Sequence, residues 1–99
     1  MKELTEKTRA VARKFPKQWS APIRFIDLTE EVGELAKALL NHWNEKSKKD
    51  DLHNVEKELC DVLLDVLLLA HDFDIDLKKS YLKRLEELDQ RIESGEFDN

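Results

Sequence analysis

Apolar residues recur every three or four positions along most of the chain, which is the periodicity of amphipathic helices. The pattern predicts four helices, at about residues 2–15, 21–45, 52–72 and 77–93. Only 2 glycines and 2 prolines occur among the 99 residues, so the chain lacks the turns that a many-stranded sheet needs. We therefore predict an all-α fold in a single domain, residues 1–99, with a frayed tail at 94–99.

The predicted helix limits follow from capping and breaking residues. Pro16 ends the first helix, because a residue before proline is forced out of helical conformation. The polar segment 46–51 is a predicted loop, and Gly95 lies just beyond the end of the fourth helix. The predicted N-caps, whose side chains accept hydrogen bonds from the first turn, are Ser20, Asp50 or Asp51, and Asp76.

The apolar faces also predict how the helices pack. The second helix presents a core stripe of Phe25, Leu28, Val32, Leu35 and Leu39, and the fourth presents Leu77, Tyr81, Leu85, Leu88 and Ile92. Residues 62–70 are apolar on nearly all sides of the third helix, so they must be surrounded by protein. A 99-residue chain buries only a modest core, and we therefore predict a homodimer or homotetramer.

The overall charge limits the possible partners and compartment. A net charge of −5 argues against a nucleic-acid polymer, but a mononucleotide remains possible if a divalent cation neutralises its phosphates. A single cysteine, Cys60, excludes an internal disulfide and fits a reducing compartment. Neither a signal peptide nor a membrane-spanning stretch is predicted. We expect a cytoplasmic protein without a membrane partner.

Carboxylates at helical spacing are the candidate chemistry. Glu31 and Glu34 are three residues apart on the second helix, with Glu30 beside them, and Glu58 and Asp61 repeat that spacing on the third. Such acids are ordinarily solvated surface residues. On the third helix, however, Asp61 and Asp65 stand among valines and leucines, and burying unpaired carboxylates is costly.

A divalent cation would remove that cost. Two helices that each offer a pair of carboxylates can converge on one ion, and hard oxygen ligands suit Mg²⁺, with Mn²⁺ as a substitute. The sequence offers no obvious basic residue on these faces: Lys37 lies toward the other side, and Lys57 neighbours Glu58 without facing it. The spacing therefore predicts metal-assisted chemistry at a phosphate, without specifying which bond is broken.

Two segments resemble the signatures of the MazG-like all-α nucleoside triphosphate pyrophosphohydrolases. They are Thr29-Glu30-Glu31-Val32-Gly33-Glu34-Leu35-Ala36 and Glu58-Leu59-Cys60-Asp61-Val62-Leu63. The resemblance covers about residues 15–92, which would be the core of the domain. It implies a four-helix protomer whose second and third helices form both the acidic site and the dimer bundle. It also implies hydrolysis of (deoxy)nucleoside triphosphates to a monophosphate and pyrophosphate.

The resemblance also implies roles for individual residues. Glu31, Glu34, Glu58 and Asp61 would be the metal ligands, and Glu30 or Glu34 would help to position or deprotonate the attacking water. Lys83, Arg84 and Arg91 on the last helix would contact the triphosphate, although Leu88 replaces an asparagine that some relatives carry. Phe15 and Trp19 are candidates for stacking on the base, with Trp43 a weaker one. Core packing is the simpler interpretation of Phe15 and Trp43.

Two other functions fit parts of the pattern. Phosphoribosyl-ATP pyrophosphohydrolase is similar in length, but its second motif usually ends in Tyr-His, where this chain has Leu64-Asp65. A non-catalytic helical oligomer that binds a nucleotide or a partner is the second alternative, although such a protein would often have lost some of the four ligands. A carboxylate di-iron bundle is excluded, because it needs a histidine where Asp61 follows Glu58.

Overall fold

The computed structural model describes residues 2–15, 19–44 and 49–98. These residues form four helices, listed as α1 Lys2–Ala12, α2 Ala21–Asn44, α3 Lys49–Asp72 and α4 Leu77–Glu93, and they contain no strand. The predicted all-α class is confirmed.

Two helix ends differ from the prediction. α1 ends at Ala12. The chain then forms a tighter turn, in which the N–H groups of Lys14 and Phe15 donate to the carbonyls three residues back. α3 begins at Lys49, so Asp50 and Asp51 lie inside the helix and the prediction that either is its N-cap is wrong. Half of the predicted loop at 46–51, residues 46–48, lies outside the described residues, and residues 49–51 belong to α3.

The ends around the α3–α4 connection agree with the sequence pattern. The Asp76 carboxylate accepts a hydrogen bond from the Lys79 backbone N–H at 3.2 Å, as the N-cap of α4. Asp74 has a positive φ of 55°, and the next N–H, that of Ile75, donates to the Ala70 carbonyl at 2.8 Å. This closure satisfies a carbonyl at the end of α3 and turns the chain sharply into α4.

The protomer is held together mainly by α2 packed against α3, with a smaller contact of α1 on α3. The buried apolar residues are Ala38, Leu67, Leu68 and Ala70. Three of these four belong to the apolar stretch at 62–70, but Leu63 in the same stretch is 46% exposed, so one protomer does not surround the stretch on all sides and its burial in an oligomer stays a prediction. Asp65, within the same stretch, is buried as well.

α4 contributes no buried residue, and its predicted buried stripe is wrong for a single protomer. Tyr81, Leu85 and Ile92 are all exposed, as are Phe25 and Val32 of the predicted α2 stripe. The radius of gyration is 16.8 Å, whereas a compact chain of this length has about 13 Å. One protomer thus leaves much of its apolar surface uncovered. None of the described helices is long and apolar enough to cross a membrane.

Candidate metal centre

Three of the four predicted metal ligands converge where α2 packs on α3. Glu31 projects from α2, and Glu58 and Asp61 project from successive turns of α3. A carboxylate oxygen from each lies within 4.8 Å of the other two, and all three residues are half-buried. The cluster forms because each helix presents its acids on the face that meets the other helix.

The electrostatics of the cluster disfavour the charged form of Glu31. The pKa of Glu31 is raised from 4.5 to about 7, first by burial, then by a hydrogen bond with Glu58 and by the negative charge of Asp61. One oxygen of Glu58, Oε2, is buried and has no hydrogen-bond partner in the part of the chain that the structure describes. One unpartnered carboxylate oxygen beside two further carboxylates at close range fits the ligand preference of a hard divalent cation.

Lys57 lies closer to the site than the sequence indicated. Its Nζ is 3.2 Å from Oδ2 of Asp61 and 3.4 Å from Oε1 of Glu58, so the expectation that Lys57 does not face these acids is wrong. Lys57 and Asp61 are four residues apart, which places them on one helix face. The acids raise the pKa of Lys57 through these hydrogen bonds. Because its side chain is 61% exposed, Lys57 neutralises part of the charge of Glu58 and Asp61 from the solvent side of the cluster. Its ammonium group does not occupy the space between the three carboxylates.

Glu30 and Glu34 stand apart from this group. Both are exposed on α2, and neither belongs to the cluster of Glu31, Glu58 and Asp61. Glu34 follows Glu31 by three residues on the same helix and so lies on the adjoining surface. The assignment of Glu34 as a fourth ligand, and of Glu30 or Glu34 as the residue that handles the water, stays a prediction.

The acidic surface extends one helical turn beyond the predicted ligands. Asp65 lies four residues after Asp61 and is only 4% exposed, and Asp27 lies four residues before Glu31. The pKa of Asp65 is raised from 3.8 to about 7, first by burial and then by a hydrogen bond with Asp27. Sequence analysis missed Asp27 because it precedes the acidic motif. Its spacing from Glu31 was the available signal.

Arg24, in the first turn of α2, contacts both the end of α3 and the segment that precedes α2. Nε of Arg24 donates to Oδ2 of Asp72 at 2.9 Å, and its Nη2 donates to the Trp19 carbonyl at 3.4 Å. These contacts link the beginning of α2 to the end of α3. They also hold the backbone carbonyl of Trp19, the candidate stacking residue, against Arg24. Trp19 and Phe15 are both exposed. Trp43 is 70% exposed, so the core-packing interpretation of this residue is wrong for the protomer.

The candidate phosphate-binding residues are separate from the acids in one protomer, because α4 does not pack along α2 or α3. Lys83 is exposed. Arg84 pairs with Glu87 at 3.2 Å on the same helix. Arg91 donates to both carboxylate oxygens of Glu96, at 2.7 and 2.9 Å, and its guanidinium lies 4.9 Å from the Phe97 ring centre. Arg91 is therefore already engaged with the C-terminal turn.

Comparison with known proteins agrees with this geometry. The model of the MazG nucleotide pyrophosphohydrolase domain matches residues 25–95, which include the acidic faces of α2 and α3 and all of α4. The chain is also 32% identical over 84 residues to the uncharacterized protein YpjD of Bacillus subtilis, covering 82% of this chain and 76% of that protein. No solved structure matches the chain.

Proposed function

Since this chain belongs to the MazG nucleotide pyrophosphohydrolase family, we propose that it cleaves (deoxy)nucleoside triphosphates between the α- and β-phosphates. The products are a nucleoside monophosphate and pyrophosphate, and the reaction depends on Mg²⁺. The observation that supports this proposal is the convergence of Glu31, Glu58 and Asp61 within 4.8 Å of one another. A triphosphate is strongly anionic, so an acidic protein needs a cation to bind it.

The residues of the cluster fit a divalent cation. The buried Oε2 of Glu58 has no hydrogen-bond partner among the described residues, and burial, together with the neighbouring acids, raises the pKa of Glu31. We assign Glu31, Glu58 and Asp61 as ligands of Mg²⁺, with Mn²⁺ as a substitute and Glu34 as the fourth ligand. When bound, the cation supplies Lewis-acid polarisation of a phosphate oxygen and a lower pKa for bound water.

The remaining chemistry falls to side chains outside the cluster. Glu30 and Glu34 are exposed on α2 within three residues of Glu31, and we propose that either one orients the attacking water and accepts its proton. Lys83, Arg84 and Arg91 would contact the triphosphate, and Trp19, with Phe15, would stack on the base. Because α4 stands away from the acids within one protomer, we propose that a homodimer or homotetramer brings these contacts to the site.

A substrate panel tests this function. Ribo- and deoxyribonucleoside triphosphates and phosphoribosyl-ATP are incubated with Mg²⁺, and released pyrophosphate is measured beside Glu58→Gln and a matched control, Asp89→Asn, on the exposed surface of α4. We expect pyrophosphate from at least one nucleoside triphosphate, loss of activity in Glu58→Gln and normal activity in Asp89→Asn. Turnover of phosphoribosyl-ATP alone would favour phosphoribosyl-ATP pyrophosphohydrolase, and binding without turnover would favour a non-catalytic protein.

A further inference from the structure

Asp27 and Asp65 form a second acidic pair beside the candidate metal centre. Asp27 precedes Glu31 by four residues on α2, and Asp65 follows Asp61 by four on α3. The two helices run in opposite directions, since Arg24 near the start of α2 pairs with Asp72 at the end of α3. The same helical offset on each helix therefore places the second pair one turn along the shared interface.

The environment of Asp65 is incomplete without a ligand. The residue is 4% exposed, its carboxyl is directed at Asp27 across the interface, and its Oδ2 has no hydrogen-bond partner in the described part of the chain. A carboxylate can accept about four hydrogen bonds. A single proton shared with Asp27 would satisfy only one of these positions, so the buried oxygen still lacks a positive partner.

The nearest cationic side chain does not supply that partner. The charge of Arg24 is felt at Asp65, but its Nε donates to Asp72 and its Nη2 donates to the Trp19 carbonyl. Lys57 lies at the other end of the cluster, on Glu58 and Asp61. Among the described residues, the interior between Asp27 and Asp65 therefore contains two carboxyls, and no donor is directed at the unpartnered oxygen of Asp65.

We infer that Asp27 and Asp65 bind a second divalent cation, with Glu31 between the two ions as a shared ligand. Glu31 is suited to that position, because one of its carboxylate oxygens lies within 4.8 Å of oxygens of Glu58 and Asp61 and its charge also acts on Asp65. Two carboxylates are a usual protein contribution to a Mg²⁺ site, since this ion keeps several waters and takes phosphate oxygens as further ligands.

The second cation extends the proposed function, on which this inference rests. A pair of ions can neutralise more of a triphosphate than one ion can, and two-metal sites stabilise both the attacking and the leaving oxygen in phosphoryl chemistry. Asp27 and Asp65 thereby become determinants of how many cations accompany the substrate. The family motif at Glu31, Glu34, Glu58 and Asp61 does not include either residue.

Metal binding alone tests the inference, with no need for turnover. The metal-free full chain is titrated with Mn²⁺, and the electron paramagnetic resonance signal of free Mn²⁺ gives the number of ions bound per protomer. The variants are Asp65→Asn and Asp27→Asn, which keep the side-chain shape and remove the charge, and Asp89→Asn is the matched surface control. Circular dichroism melts establish that each variant is folded.

We expect two Mn²⁺ per protomer for the full chain and for Asp89→Asn, and one for each of the two interface variants. Asp27→Asn provides the test independently if Asp65→Asn does not fold. One ion in the unmodified chain, or two ions retained in a folded Asp65→Asn or Asp27→Asn protein, overturns the second site and leaves a proton-sharing carboxyl pair. Absence of any bound Mn²⁺ in the unmodified chain instead contradicts the proposed metal-dependent function itself.

Discussion

Glu31 is the residue at which the two acidic pairs meet, and its chemistry follows from that position. Burial and the neighbouring acids disfavour its charged form, which raises its pKa to about 7. Asp65, one turn away, has its pKa raised to about 7 for similar reasons. Both groups therefore bind protons more tightly in the folded chain than in the unfolded chain, and this difference makes stability depend on pH.

The metal-free protein should lose stability as pH rises toward neutrality. A carboxyl with a raised folded-state pKa contributes most stability below its unfolded pKa, and that contribution is lost as pH rises through the folded value. For Glu31 and Asp65 the window runs from 4.5 and 3.8, respectively, up to about 7. Thermal melts in EDTA between about pH 5 and about pH 7.5 should show a falling Tm. Asp65→Asn should flatten this slope. A slope that is unchanged in the variant would contradict the assigned cause.

Asp61→Asn should abolish activity without weakening the metal-free fold. The change removes a ligand, so we expect turnover to fall by about 100-fold or more, since a metal contributes several kcal/mol of charge stabilisation. It also relieves repulsion with Glu31, while the lost Lys57 contact is largely exposed and contributes little.

Mg²⁺ should stabilise the unmodified protein by about 2.7 kcal/mol at 100 times its Kd, and the Asp61→Asn variant by less at the same Mg²⁺ concentration. Strong destabilisation of Asp61→Asn in EDTA would show that Asp61 has a structural role.

At the scale of helices, local sequence signals account for most of the architecture. Helical periodicity located all four helices, and the side-chain cap at Asp76 located the beginning of α4. The beginning of α3 was misplaced because aspartates are favourable both as N-caps and inside the first turn, so sequence cannot separate these positions. The contact of Lys57 with Asp61 was missed because it depends on where a flexible side chain extends.

Arg84 on α4 should affect substrate binding more than folding. It is exposed, and its only ion pair in the described structure is with Glu87 on the same helix, so Arg84→Ala should change stability by less than about 0.5 kcal/mol. A charge-assisted hydrogen bond to phosphate is worth about 1.5–3 kcal/mol, which corresponds to a fall in kcat/KM of roughly 10- to 100-fold. Steady-state kinetics beside Arg13→Ala, an exposed arginine after α1, provide the comparison. Unchanged kinetics would remove Arg84 from the site and favour Lys83 or Arg91.

At the scale of the whole molecule, the exposure of the apolar stripe of α4 in one protomer is the feature that sequence periodicity did not identify. An apolar stripe indicates that a face is covered, but it does not indicate whether the cover comes from the same chain or from another copy. Here the stripe of α4 is uncovered in the protomer, with Tyr81 59% and Ile92 59% exposed. Exposed apolar area of this extent marks an interaction surface.

The protein should therefore be a homo-oligomer in which the α4 stripe is buried. Sedimentation velocity at micromolar concentration should show a dimer or tetramer, and Leu85→Lys, which places a charge on the exposed stripe, should dissociate or unfold it. Lys79→Ala, on an exposed polar position of α4, serves as the control and should leave the assembly intact. A well-folded monomer of the unmodified chain would refute the predicted interface.

The nature of the released phosphate tests the central claim most directly. Phosphorus-31 NMR of a reaction that contains nucleoside triphosphates, Mg²⁺ and the purified protein distinguishes cleavage at the α–β bond from cleavage at the β–γ bond. We predict signals of a nucleoside monophosphate and pyrophosphate, and none when EDTA removes the cation from the acidic centre of Glu31, Glu58 and Asp61. A nucleoside diphosphate with orthophosphate, or turnover that persists in EDTA, would contradict the proposed reaction.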